Sequence, residues 1–427
     1  MAAGNVIIAQ SGGPSAVINN TLRGIIHTCI QDSHTFGKIY GAWHGIEGIL
    51  KEELLDISVQ NKYEIELLKT TPAAGSIGTC RYKLKEGNEK DLDRIIEVFK
   101  AHNIEYFFYI GGNDSQHTVL RVSEKCKETG QDTISVGVPK TIDNDLGDNE
   151  FKLIDHTPGY GSVAKYWSYN IQNLNEENRG SSPADPVMVV QVMGRKIGFI
   201  PAAARLADPG RELPMQIYMA ESNVSLPEMS ENINKYLVDY GRCLVVVSEG
   251  FNVGNLGERT DAFGHSEFGA SKTSVQQVIV NFLNSVKLKA RGAARGQIPG
   301  TDQRHAMIYA SDTDLEEAYM VGKKAVEIAL SRENGWMATL LRASTPEYRV
   351  IYDKVPLKEV ALSERRFPEE WITENGFDVT DAFVRYAKPL TGDKWVSIPL
   401  VNGIQRFTRF RQVFAEKKLQ EYIPEAY

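Results

Sequence analysis

The sequence predicts an α/β protein: two Rossmann-like domains with mostly parallel sheets, an active site in the cleft between them, and a C-terminal extension. Three observations lead there. Apolar strand-like runs alternate with segments of helical spacing, which implies parallel sheets covered on both faces. Three early runs end directly in loops rich in glycine or charge, at residues 10–14, 111–115 and 139–145, and ligands of parallel sheets gather at the carboxyl ends of strands. A second alternating series starts after residue 155, in a chain of 427 residues, long enough for two or three domains.

The first run, Val-Ile-Ile-Ala at 6–9, leads through Gln-Ser-Gly-Gly-Pro at 10–14 into a helix expected over 15–30. Strand, glycine turn and helix N-terminus in that order suit an anion, because small residues let the backbone approach and free N–H groups point outward. A tight corner alone would also need Gly12 and Gly13. Residues 67–71 are a short apolar segment opening into Ala-Ala-Gly-Ser-Ile-Gly-Thr-Cys-Arg at 73–81. Arg81 has the paired donors to clamp a phosphate; a surface arginine is the plain alternative.

A helix is expected over 91–100 from the spacing of Leu92, Ile95, Ile96 and Phe99. The aromatic run at 106–110 reads as a central strand, opens into Gly-Gly-Asn-Asp-Ser at 111–115, and precedes a helix to about residue 127. Residues 133–138 read as another buried strand. Pro-Lys-Thr-Ile-Asp-Asn-Asp follows at 139–145. So many carboxylates, with a lysine and a threonine, suit a metal-bound phosphate beside a hydroxyl that must lose its proton. A solvated acidic loop is the alternative.

Residues 155–161 read as a crossover, followed by a helix over 162–174. Strands are expected at 187–192, 217–220 and 243–247, and helices at 196–206, 228–240 and 274–289. Met193, Gly194 and Arg195 form the tip of one strand; Ser248, Glu249 and Gly250 end another. A break rich in glycine and charge spans 251–269. Gly-Ala-Ser-Lys-Thr at 269–273 superficially echoes a P-loop, but Ser271 replaces the glycine before the lysine. The chain is expected to change domain near 155 and to return near 303.

Composition is that of a soluble globular protein, with 42% hydrophobic and 24% charged residues. A net charge of -7 without a compensating basic block argues against nucleic acid. Four separated cysteines without a Cys-x-x-Cys pair argue against a zinc site or disulfide framework and fit a reducing cytoplasm. Neither a signal peptide nor a membrane span is expected. A dinucleotide-binding dehydrogenase is disfavoured, since no Gly-x-Gly-x-x-Gly follows the first strand.

The 139–145 motif resembles the catalytic loop of the phosphofructokinases, in the form found in the pyrophosphate-dependent branch. The resemblance runs in order over most of residues 5–332: Ser-Gly-Gly-Pro at 11–14 with Asn19 and Asn20, Gly-Ser-Ile-Gly at 75–78 with Arg81, and 111–115. It continues through Met193-Gly194-Arg195, Ser248-Glu249-Gly250 and Pro-Gly-Thr-Asp-Gln-Arg at 299–304. It implies residues 1–155 with 304–352 as a phosphoryl-donor domain, 156–303 as a sugar-phosphate domain and 353–427 as the extension.

The resemblance further implies Asp143 as the base for the sugar 1-hydroxyl, with Thr141 hydrogen-bonding the substrate. Lys140 and Arg81 would act on the donor; Gly12, Gly13, Asp114 and Ser115 would line its side. Asp145, with Asn113, would serve Mg2+. Met193, Gly194, Arg195, Glu249 and Arg304 would form the fructose 6-phosphate pocket. Arg295 would reach a neighbouring subunit's site in a homo-oligomer, a dimer or tetramer. Many members have aspartate in place of Asn113, and the position of a second neighbour-reaching arginine of ATP-dependent members falls near Pro186, so that contact is absent or supplied elsewhere. ATP-dependent relatives usually have glycine in place of Asp114 and Lys140, so pyrophosphate is the expected donor, with phosphate and fructose 1,6-bisphosphate as products. The alternatives are an ATP-dependent 6-phosphofructokinase, a kinase of another sugar phosphate such as sedoheptulose 7-phosphate, and a non-catalytic regulatory homologue.

Overall fold

A computed structural model describes residues 3–84, 87, 89–254, 259–260, 266–267, 273–343, 347–361 and 363–425. In chain order the strands are β1 (Gly4–Gln10), β2 (Phe36–Ala42), β3 (Leu54–Asp56), β4 (Ile104–Gly111), β5 (Ile134–Pro139), β6 (Val187–Val192), β7 (Met215–Tyr218) and β8 (Cys243–Ser248). They continue as β9 (Arg259–Thr260), β10 (Ser266–Glu267), β11 (Ala294–Gln297), β12 (Trp336–Arg342), β13 (Val350–Pro356), β14 (Leu400–Val401) and β15 (Ile404–Gln405). The chain divides into two compact units. One comprises Met1–Gly159, Arg304–Arg365 and Asp393–Tyr427; the other comprises Tyr160–Gln303 and Arg366–Gly392.

The first unit carries a seven-stranded sheet in the order β13-β12-β5-β4-β1-β2-β3. Its inner strands run parallel, and the two edge pairs, β12–β13 and β2–β3, are antiparallel. The sheet is therefore mostly parallel, as the sequence predicts. β4 sits at its centre because Phe107 and Phe108 point to opposite faces and both are fully buried. Burying an aromatic or branched side chain contributes about 1.5–3 kcal/mol, so such runs place the core. Helix Glu89–Ala101 covers one face through Phe99, whose ring centroid lies 5.4 Å from that of Phe107.

The far edge of β3 is closed by the end of the chain. Asp56 N–H donates to Val413 O, Ala415 N–H to Leu54 O, both at 2.8 Å, and Leu55 pairs with Phe414. Buried Glu52 then takes the N–H groups of Lys418 and Leu419 at 2.6 and 3.1 Å, and Asp91 takes the Tyr422 hydroxyl at 2.7 Å.

The second unit carries an all-parallel sheet, β11-β6-β8-β7. Helix Leu226–Tyr240 starts at a capping box between Ser225 and Glu228 and ends on Gly241 in the left-handed region, at φ 73°. Three helices differ from the sequence expectation. The one expected over 162–174 spans Tyr160–Ser181, because Asn175 and Asn178 are buried as acceptors for Arg242 at 2.8 and 3.1 Å. The one expected over 196–206 is a single turn, Phe199–Ala202, followed by a 3-10 turn, Ala203–Ala207; the Gly198 N–H is committed to Glu221 instead. The one expected over 274–289 stops at Ser285, where Val286 turns extended and Asn234 captures the Lys289 N–H at 2.7 Å. Most of the P-loop-like stretch at 269–273 lies outside the described residues. Among the described residues no helix is long and apolar enough to cross a membrane.

Candidate active site

The order β5-β4-β1 makes the three glycine- or charge-rich loops neighbours along one end of the first sheet. Beyond β1, Ser11 pairs with Cys80, and the Gly12 N–H donates to Cys80 O at 2.8 Å. The Arg81 loop is thereby laid beside the glycines, and the Thr79 hydroxyl donates to Gly12 O at 3.0 Å. Gly12 needs its hydrogen side chain, with φ at 74°. A Cβ on Gly13 would stand 2.9 Å from a guanidinium nitrogen of Arg304, and one on Gly12 would stand 3.4 Å from the Lys140 ammonium.

Lys140 is the electrostatic centre of this group. Its side chain is buried, and its ammonium donates to Gly13 O at 2.8 Å. Burial pushes its pKa down to about 8; Asp143 and Asp145 pull against that, while Arg304 and Arg81 add to it. The structure thus brings Gly12, Gly13, Arg81, Lys140, Asp143, Asp145 and Arg304 into one group of the first unit. Two arginines and a lysine beside two carboxylates can neutralise a small polyanion and still hold a proton acceptor.

The 139–145 loop is held by its neighbours rather than by its own turns. Lys140 N–H donates to Gly111 O at 3.1 Å, and Thr141 pairs with Gly159. The Thr157 hydroxyl donates to Thr141 O at 2.8 Å, and its N–H to the Asn144 amide oxygen at 3.0 Å. The Thr141 hydroxyl oxygen accepts the Asp143 N–H at 3.1 Å, which fixes the aspartate's backbone. Asn144 itself sits in the left-handed region at φ 59°, which asparagine tolerates better than most residues.

Asn113 and Asp114 open the helix Asn113–Glu128, with Ser115 buried at the corner. Asp114 pairs with Lys83 at 2.9 Å, both partly exposed. Asn113 Nδ2 donates to Asp145 O at 3.5 Å, whereas its Oδ1 is buried and accepts no hydrogen bond among the described residues. A buried oxygen left in that state needs a partner, and a hard cation is a fitting one. Mg2+ takes one or two carboxylates and fills its remaining positions with phosphate oxygens and water, so Asp145 and Asn113 are a donor set of the right chemistry.

In the second unit the strand tips of β6 and β8 lie side by side. The Ser248 hydroxyl donates to Gly194 O at 2.6 Å, and Glu249 N–H donates to Val192 O at 2.9 Å. Gln303 Oε1 accepts the Met193 N–H and the Trp167 indole N–H, each at 3.0 Å. Met193, Gly194, Arg195 and Glu249 therefore share one corner. Arg295 is elsewhere: it stands opposite Met188 in β11, mostly exposed, and pairs with Asp185 at 2.8 Å.

Sequence reasoning passed over a set of residues behind the 139–145 loop. His156 is buried and donates from Nδ1 to Asp155 at 2.8 Å and from Nε2 to Glu317 at 2.7 Å. Burial works against its charge, but Glu317 and Asp155 outweigh it and raise the pKa to about 9. Arg342 reaches Asp155 at 3.0 Å, and the Tyr348 hydroxyl donates to Glu317. Arg365 and Lys83 were missed as well. A lone histidine or arginine has no local signature when its partners lie far along the chain.

Residues 5–329 match the phosphofructokinase family. The chain belongs to that family. It is similar to the pyrophosphate–fructose 6-phosphate 1-phosphotransferase of Halomonas elongata, 36% identical over 99% of this chain and 100% of that one. It is similar to the protein of the same name from Methylococcus capsulatus, 37% identical over 98% and 99% of the two chains. Among solved structures, the pyrophosphate-dependent phosphofructokinase of Marinobacter aquaeolei superposes with a TM-score of 0.87 at 34% identity, over 98% of this chain and 99% of that one. The likeness spans nearly the whole length of each chain, the last 75 or so residues included.

Proposed function

We propose that this protein transfers a phosphoryl group reversibly from pyrophosphate to the 1-hydroxyl of fructose 6-phosphate, giving fructose 1,6-bisphosphate and phosphate, with Mg2+. The observation that carries the reading is the buried Lys140 ammonium against the Gly12–Gly13 turn, with Asp114 at the start of the next helix. A small donor of high charge gains from that ammonium, whereas a nucleotide would bring its α-phosphate toward the Asp114 carboxylate. The names of the Halomonas and Methylococcus relatives support the same donor and acceptor.

Asp143 takes the proton of the acceptor hydroxyl as its oxygen attacks the terminal phosphorus. The bridging P–O bond breaks and its electron pair leaves on phosphate, whose developing charge Lys140 and Arg81 hold. Thr141 hydrogen-bonds the substrate and keeps Asp143 in place. Asp145 and Asn113 would hold Mg2+, which would supply positive charge to offset that of the donor. Arg195 meets the 6-phosphate with paired donors, Glu249 meets the sugar hydroxyls, and Met193 and Gly194 shape that corner. Arg295 serves a neighbouring subunit's site in a homo-oligomer, a reading that its exposed position supports.

A coupled assay of the purified protein decides the donor. Turnover with Mg-pyrophosphate and below about a hundredth of it with Mg-ATP is expected, since a mismatch of about 3 kcal/mol amounts to that factor. Turnover with Mg-ATP and none with Mg-pyrophosphate would overturn the reading.

A further inference from the structure

The loop that carries Asp143 and Asp145 continues to residue 155 without regular pairing, and its backbone is unusual. Asn144, Gly147 and Phe151 all have positive φ, at 59°, 107° and 58°. For a bulky residue such as Phe151 that conformation costs free energy and persists only where surrounding groups over-determine it. The group that does so here is one side chain from the far end of the unit, Arg365.

Arg365 is fully buried, 1% exposed. Its Nε donates to Asp148 O at 3.0 Å, and its Nη1 to Asp155 O at 2.9 Å and to the Asn144 amide at 3.4 Å. Its Nη2 donates to Ile154 O, and its backbone N–H donates to Asp145 O at 3.0 Å. The guanidinium carbon lies 4.2 Å from the centre of the Phe151 ring. Gly147 leaves the space for it, since a Cβ there would fall 3.0 Å from Nη2. The planar fork matches several carbonyls at once, which a lysine's point charge does not. Asp148 completes the arrangement: burial works to raise its carboxyl, but the N–H groups of Leu153 and Lys152, with the Arg365 charge, hold it below its usual range.

We infer that Arg365 is a positioning residue of the transfer reaction. It sets the path of residues 144–155 and, through Asn144 and the Asp145 carbonyl, the direction in which Asp143 and Asp145 present their carboxylates. Arg365 is also the last residue of its segment in the first unit, before the chain continues into the second at Arg366.

The test compares the parent with Arg365→Lys and Phe151→Leu, and rests on the proposed reaction for its kinetic half only. Kinetics with Mg-pyrophosphate should show kcat about a hundredfold lower in Arg365→Lys, as a misplaced catalytic group costs. KM for fructose 6-phosphate should stay within threefold. Independently of turnover, Mn2+ titrated into enzyme saturated with imidodiphosphate, an unreactive diphosphate, should half-saturate about tenfold higher in Arg365→Lys and about threefold higher in Phe151→Leu. Metal half-saturation and kcat unchanged in a folded Arg365→Lys, even with a lowered Tm, would overturn the inference. Should Arg365→Lys not fold, an unchanged Phe151→Leu would overturn it equally. A parent inactive with Mg-pyrophosphate would count against the reaction, while the Mn2+ comparison would still read the positioning.

Discussion

Lys140→Met should make the protein more stable while removing its use of the donor. The Lys140 pKa falls from the usual 10.5 to about 8 because burial opposes its charge. At about 1.4 kcal/mol per pH unit, keeping the ammonium charged where it sits costs about 3 kcal/mol at pH 7. Methionine fills similar volume without that cost and forgoes the hydrogen bond to Gly13 O, which is worth about 1 kcal/mol. The net expectation is a variant about 2 kcal/mol more stable at pH 7. The advantage should be pH-dependent in a definite direction. Between about pH 8 and 10.5 the unfolded chain binds the Lys140 proton and the folded one does not, so the parent gains stability as pH rises. The variant lacks the group, so its lead should vanish by about pH 10. Urea unfolding of both proteins at pH 7 and pH 10, followed by circular dichroism, measures the double difference. A Lys140→Met protein that is less stable at pH 7, with a deficit independent of pH, would refute the reasoning. Pyrophosphate should raise the Tm of the parent and leave that of the variant unmoved.

The other expectations concern proton transfer, donor choice and a second buried charge. Asp143→Ala should lower kcat by about a thousandfold, the usual scale for a general base, while calorimetry finds fructose 6-phosphate bound as before; unchanged turnover removes Asp143 as the base. Asp114→Gly with Lys140→Gly should raise the ratio of ATP to pyrophosphate turnover at least tenfold, read in the same coupled assay, and a ratio that does not move counts against the donor-pocket argument. His156 has the opposite sign to Lys140: its folded pKa, about 9, lies above the usual 6.5. Its contribution, of about 3 kcal/mol, is present below pH 6.5 and fades as pH rises through 9. His156→Gln should therefore destabilise far more at pH 6 than at pH 10 in urea melts, and an equal loss at both would contradict the network.

What could be read in advance was local. Each of the loops at 10–14, 111–115 and 139–145 follows a dense apolar strand, and the first two lead into a helix, so a few adjacent residues carried both fold and site. The edge strands were harder. β2 is interrupted by Gly37 and Gly41, and β13 alternates half-buried and exposed positions, so neither has the apolar density of β4. Helix limits over 162–181 and 196–207 were set by distant partners, Arg242 and Glu221, which no periodicity reveals. The same holds for the support of the catalytic loop: Arg365 reaches Asn144 across 221 residues and His156 reaches Glu317 across 161.

The seal on β3 gives the segment after residue 405 a purpose that its mixed composition hides. An open strand invites another chain to pair with it. Here Val413 to Ala415 occupy that position, and two buried carboxylates, Glu52 and Asp91, grip the backbone beyond. The tail thus covers an edge that would otherwise stand open to a strand of another chain, with a handful of main-chain bonds far from the catalytic loop.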